Sequence, residues 1–468
     1  MTGKDTNTAM NHQRHEHEPD RPGARRARSR WWAVGLAGMT GLALTTSLGI
    51  GGAPAIGAVD GTVTAADDRP GKPDRASTDN KGHEGKRKQN KHKGTPVPCS
   101  ADALITAITL ANARGGAVLD LAKGCTYLLT ATIDGAGLPA ITTPITLNGG
   151  KHTTITRAAA EPFRILTVDT GGDLTLNKLK ITGGQTVDPD RGGGISVDAG
   201  AAATISHSII TGNIAGNDGG AVDNSGTTRI SHSTLMHNSA RDDGGAIYNR
   251  GTVTVTKSQF LENTTGAFGG AIHQVSGAES LVIAESSIKG NTSGRLGGGI
   301  SSLANTITRI TDTDITDNTC SAFGGGGIAV SAAQLALGGV TLARNTASGT
   351  GGGGLAVLDG ATATVEHSTI EKNTAGANGG GIYSEGGITT VRNTKIIDNQ
   401  ADLGGGIYNN ADGAITLYAT KVVKNTAITD GGGIFNQAGG TVELNTATGT
   451  TVVKNRPNNC VNVTGCPD

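Results

Sequence analysis

Four aspartates stand just before glycine-rich stretches: Asp190, Asp218, Asp242 and Asp243. They fall on three consecutive units of a repeat. Stacked units put equivalent positions about 5 Å apart. Carboxylates that close must bind a cation, share a proton or splay into water. The spacing therefore suits a Ca²⁺ site at Asp218, Asp242 and Asp243, a glycosidase-like carboxylate pair, or a solvated acidic loop. Later units carry Phe268, Leu296, Gly324 and Gly351 at this place, so the acidity is local.

A second series lies one residue past each repeat aliphatic. It includes Asp223, Tyr248, His273, Tyr383, Tyr408 and Phe435. Strand alternation points these side chains away from the core. Aromatic rings on such a face suit stacking on sugar rings, contact with a protein, or cross-strand packing within the sheet. His207, His232 and His367 share a third register with Gly339 and Ala419, which reads as a tolerant corner rather than a metal or general-base position.

The elements that must position these groups are unusual. Glycine supplies 75 of 468 residues and aromatics only 3%. Such a chain needs strictly periodic aliphatics to build a core. The aliphatic after the glycines recurs from Ile195 to Ile434 in steps of 25 to 28 residues. An asparagine recurs with it, from Asn213 to Asn455. Three residues before each asparagine, and eight before all but the last, sit apolar residues such as Ile210 and Ile205, and five before it nearly always Ser or Thr such as Ser208. These registers read as three short strands per unit, separated by bends. Stacking the units in parallel buries the aliphatics and turns the asparagines into an internal ladder.

The expected fold is all-β: a right-handed parallel β-helix with an N-terminal helical cap. Residues 99–150 are expected to form the first cap, about 150–455 the coils, and 456–468 the C-terminal cap. Ala101 to Arg114 has the helical stripe Leu104, Ile105, Ile108 and Ala111. Cys99 with Cys125, and Cys460 with Cys466, are expected to bond at the two ends; Cys320 remains over as a buried thiol.

Residues 1–58 read as an export signal with an extended basic n-region, or as an uncleaved anchor. Arginines from Arg21 to Arg30 precede the apolar run beginning at Trp31, and small residues surround Ala55. Residues 59–98 read as a disordered basic linker. Residues 1–98 carry 16 basic and 10 acidic residues, which leaves a net charge of −6 on the remainder of this formally neutral chain. A mildly acidic body argues against nucleic acid as a partner.

Gly244-Gly245-Ala246-Ile247, with Phe260-Leu261-Glu262-Asn263, resembles the GGAI and FxxN repeats of chlamydial polymorphic outer-membrane proteins. The stretch 100–460 also resembles secreted right-handed parallel β-helix proteins of actinobacteria. The resemblance implies a pectate-lyase-like β-helix and no particular activity, because this fold carries adhesins, lyases and hydrolases alike. No β-barrel translocator or LPxTG-type sorting signal follows the repeats, so an autotransporter is not expected. The resulting expectation is an exported, secreted or cell-surface protein that binds a polysaccharide or protein without catalysis. The alternative is a polysaccharide lyase or glycoside hydrolase acting through the acidic cluster.

Overall fold

The computed structural model describes residues 94–467. Residues 1–58, read above as an export signal or anchor, and nearly all of the stretch 59–98 read as a linker lie outside them. The described chain winds as a parallel β-solenoid of about 14 turns. One turn shows the plan: Ala202–Ser206, Ile209–Thr211, Ile214–Ala215 and Val222–Asn224. Each strand pairs in parallel with its equivalent 24 to 30 residues away, as Ile205 does with Ile230 and Ile210 with Leu235. The result is four sheets of 14, 13, 9 and 12 strands.

Four strands per turn replace the expected three. The added strand has mostly two residues, such as Ser239–Ala240 or Thr264–Thr265, following the asparagine. A two-residue strand is too short to show an alternating pattern. Pairing also begins earlier than expected. Thr95–Val97 pairs with Leu119–Leu121, and Ala117–Asp120 with Ile145–Asn148. Much of the stretch read as a cap is therefore already stacked turns that lack the glycine–aliphatic marker. At the other end, Cys460–Val461 extends the fourth sheet from Ile434–Phe435.

The helix Ala101–Ala113 is present, with Leu104, Ile108 and Ala111 buried among residues of the first strands. Both expected disulfides form, Cys99–Cys125 and Cys460–Cys466, and Cys320 is a buried free thiol.

The interior is aliphatic along the sheets and polar at the bends. Each repeat asparagine reaches both neighbouring turns. Asn318 Nδ2 donates to Ile288 O at 2.9 Å and to Asn345 Oδ1 at 3.0 Å. Its own Oδ1 accepts from the Asn291 backbone at 3.0 Å and from Asn291 Nδ2 at 2.9 Å. The pattern continues from Asn213 to Asn455, which donates onward to Asn459. A second ladder uses the Ser/Thr register: Ser208 N donates to Ser233 Oγ, Ser233 N to Ser258 Oγ, and Ser258 N to Ser286 Oγ, each at 3.1 Å. These ladders satisfy backbone groups that a bend would otherwise bury unpaired.

The register read as a tolerant corner is a corner, and its backbone is left-handed. His207, His232, His367, Asn393 and Ala419 all have φ between 47° and 51°.

Candidate functional site

The aspartate-bearing loops and the fourth sheet form a single unit. After the two-residue strand, the chain runs through the glycine loop and back over the fourth sheet. Close approach demands glycine there. A Cβ on Gly351 would lie 2.8 Å from the Tyr383 ring, and one on Gly192 only 3.1 Å from Asp223 Cβ. The series expected as an outward face is consequently covered. Asp223 is 5% exposed, Tyr248 8%, and His273 2%. Tyr383 and Tyr408 are buried as well, while Phe435 is half-buried. Pointing away from the inner core did not mean pointing into water, because the loops add a second layer. An open aromatic face for sugar stacking is not what these residues form.

The layer has two halves. Toward the C-terminus it is apolar. Ala329, Ala356, Tyr383 and Tyr408 pack with Leu296, Leu403 and Phe435. The rings of Tyr383, Tyr408 and Phe435 stack at 5.6 and 5.3 Å. Tyr383 and Tyr408 direct their hydroxyls to Glu385 and Gln437, both at 2.9 Å.

Toward the N-terminus the layer is charged, and two arginines complete it. Arg191 Nε donates to Asp218 Oδ2 at 2.7 Å. Arg250 Nη2 donates to both oxygens of Asp223, at 3.0 and 2.8 Å. Both guanidinium groups lie over the Tyr248 ring, 5.3 and 5.5 Å from its centre. Asp218 Oδ1 also accepts the Asp243 backbone N–H at 3.1 Å, and Asp243 Oδ1 accepts that of Phe268 at 3.0 Å. His273 stacks obliquely between Tyr248 and Phe268, with ring centres 5.7 and 5.6 Å away. The arginines carry no repeat signature. The signal for them was indirect: a buried carboxylate needs a cation, and Arg191 adjoins the glycine loop while Arg250 lies two residues beyond Tyr248.

The four candidate aspartates divide accordingly. Asp218 is buried and paired. Asp243 is partly buried beside it. Asp242 is partly exposed and uses its backbone carbonyl to accept Thr265 Oγ1 and Ala267 N. Asp190 is exposed at the rim and is not joined to the others through its side chain. Among the described residues, no three His, Cys, Asp or Glu side chains gather into a group that could hold a metal ion.

Burial governs the protonation of this layer. It pushes Asp218 and Asp223 upward, against the pull of Arg191 and Arg250 respectively. It raises Asp243 to about 7, where the charges of Asp218 and Asp242 add to the shift and the Phe268 N–H opposes it. It lowers His273 to about 3. His273 Nε2 lies 3.9 Å from Asp243 Oδ2, too far for a hydrogen bond, and the ring is neutral at neutral pH. Their contact is therefore not an ion pair there. Asp243 titrates where a general acid or base should. Of the neighbouring carboxylates, Asp218 is held by Arg191 and Asp223 by Arg250, while Asp242 is partly exposed and its charge adds to the shift at Asp243.

The chain matches the family described as right-handed β-helix region over residues 164–334 and 298–466. It belongs to that family. No curated protein matches it. Among solved structures, it is similar to a double mutant of the tailspike protein of Escherichia coli bacteriophage HK620, at 11% identity and TM-score 0.35, covering 73% of this chain and 74% of that one. It is also similar to the A-module of the mannuronan C-5 epimerase AlgE6 of Azotobacter vinelandii, at 13% identity and TM-score 0.32, covering 78% and 94%. Among the described residues, no helix is long and apolar enough to cross a membrane.

Proposed function

We propose that this is an exported β-helix protein that binds a polysaccharide or protein outside the cell or at its surface, without catalysis. One observation carries the reading: the polar groups that looked most like chemistry are engaged inside the fold. The asparagines hold the turns together, and arginines or backbone N–H groups hold Asp218, Asp223 and Asp243. What remains for a partner is the regular outer surface of the sheets. Disulfides at both ends of the described chain support an oxidising environment. The resemblance to secreted actinobacterial β-helix proteins points the same way.

The test is a binding isotherm of the full chain on immobilised neutral and acidic polysaccharides and on cell-surface protein extracts, with product analysis of the same samples. Saturable binding with intact polymer is expected. Binding to none of these would overturn the reading.

A second reading rests on Asp243, raised to about 7 beside the neutral ring of His273. A lyase or hydrolase would use that carboxyl as its proton carrier. It would show turnover of an acidic polysaccharide that Asp243→Asn abolishes, with or without added Ca²⁺.

A further inference from the structure

We propose that the last turns carry a docking strip for an acidic polysaccharide, formed by Lys372, Lys395, Lys421, Lys424, Lys454 and Arg456. This deepens the binding function proposed above and rests on it.

The register brings these cations together. Lys395 pairs directly with Lys421 across adjacent turns of the second sheet. Lys424 and Lys454 follow the paired residues Val423 and Val453, and both turn the chain with left-handed φ, 57° and 61°. Lys372 occupies the same column two turns before Lys424. Arg456 bridges to Thr426 just beyond the corner. All six are exposed. Lys424, Thr426, Lys454, Asn455 and Arg456 line a concavity of about 570 Å³. With turns spaced about 4.8 Å apart, the column from Lys372 to Lys454 spans about 15 Å.

The charges are free. Among the described residues, none of the six forms an ion pair. Earlier turns treat the same columns differently. There, His237 meets Glu262 at 3.4 Å, and Asp317 meets Arg344 at 2.7 Å and Lys289 at 3.9 Å. Near the C-terminus only Glu371 and Asp398 interrupt the cations. An unneutralised cationic strip on an acidic body costs self-repulsion unless an anion meets it, and it focuses field lines toward one region.

The geometry selects the partner. Cations spread along successive turns suit a polymer with repeated negative charges better than one compact anion. No aromatic side chain stands in these columns to stack on nucleic-acid bases, which disfavours single-stranded nucleic acid. Carboxylate and sulfate groups offer the same charge chemistry, so both belong in the test.

The experiment compares the full chain with a Lys421→Gln/Lys424→Gln/Lys454→Gln variant on polygalacturonate, dextran sulfate, neutral dextran and single-stranded DNA. A second triple variant, Lys178→Gln/Arg229→Gln/Lys257→Gln, controls for net charge. Circular dichroism and thermal melting confirm that both fold. The strip predicts binding to one or both acidic glycans that weakens with salt and falls about tenfold or more in the strip variant only. Unchanged affinity in the strip variant, an equal loss in the control variant, or tighter binding to DNA than to either glycan would overturn it. Binding to neutral dextran as tight as to either acidic glycan, and unchanged by the strip substitutions, would overturn the strip alone. Binding to nothing would overturn the broader function as well.

Discussion

Arg250 Nη2 contacts both carboxylate oxygens of Asp223, at 3.0 and 2.8 Å, beneath a loop that leaves the aspartate 5% exposed. Removing the arginine strands a buried carboxylate. Arg250→Ala should destabilise the turns around Tyr248 by about 3–5 kcal/mol. The Asp223→Asn/Arg250→Met pair should recover much of that loss. Hydrogen exchange resolved along the chain is the right measurement, because stability in stacked repeats is local.

The asparagine ladder predicts a larger penalty than a surface amide would. Asn318→Ala leaves Ile288 O and two Asn291 donors without their side-chain partner, and Asn345 Oδ1 with only the residue-318 backbone N–H. The expected cost is about 2–4 kcal/mol in chemical denaturation, given 1–3 kcal/mol for each buried group left unpaired and some relaxation. Asn318→Asp keeps an acceptor but loses both donors, and should also destabilise.

Asp243 and His273 should give stability opposite dependences on pH. Asp243 has a native value near 7, above that of an unfolded aspartate. The native state therefore holds the proton longer, and this contribution is lost as pH rises from about 4 through 7. His273, lowered to about 3, is neutral when folded. The unfolded chain takes up its proton below about 6.5, so stability falls from there toward pH 3. The two slopes oppose each other between about pH 4 and 6.5. Asp243→Asn should leave stability rising with pH across that window. His273→Gln should leave it falling. Thermal melts of both variants from pH 3.5 to 8 measure this; parallel slopes would contradict the assignment.

Gly270 illustrates the glycine loop's limit. A Cβ there would sit 2.1 Å from Gly298 O on the next turn. Gly270→Ala should force the turns apart at a cost of about 1–3 kcal/mol, read as faster amide exchange in the stretch 264–300.

The sequence exposed the scaffold well and the site poorly, for physical reasons. Ile205, Ile210 and Asn213 repeat because every turn must match the next, so stacking writes itself into the period. The same holds for the left-handed corner at His207. The short strand Ile214–Ala215 leaves too few residues for a pattern. The first turns lack the glycine marker: Phe163-Arg164-Ile165 precede Leu166, which pairs with the first marked aliphatic, Ile195. For Tyr248 and His273, strand alternation correctly turned the side chains away from the core. It could not reveal that Phe268 and the glycine loop fold over them. The pairing of Asp218 with Arg191, separated by 27 residues, depends on that same second layer.

The most direct test of binding without catalysis is one incubation of the full chain with polygalacturonate, measuring both bound polymer and polymer length. The account predicts saturable binding, no shortening and no new unsaturated ends, with Asp243→Asn behaving like the native chain. Shortened polymer or unsaturated product from the native chain, abolished by Asp243→Asn, would contradict it.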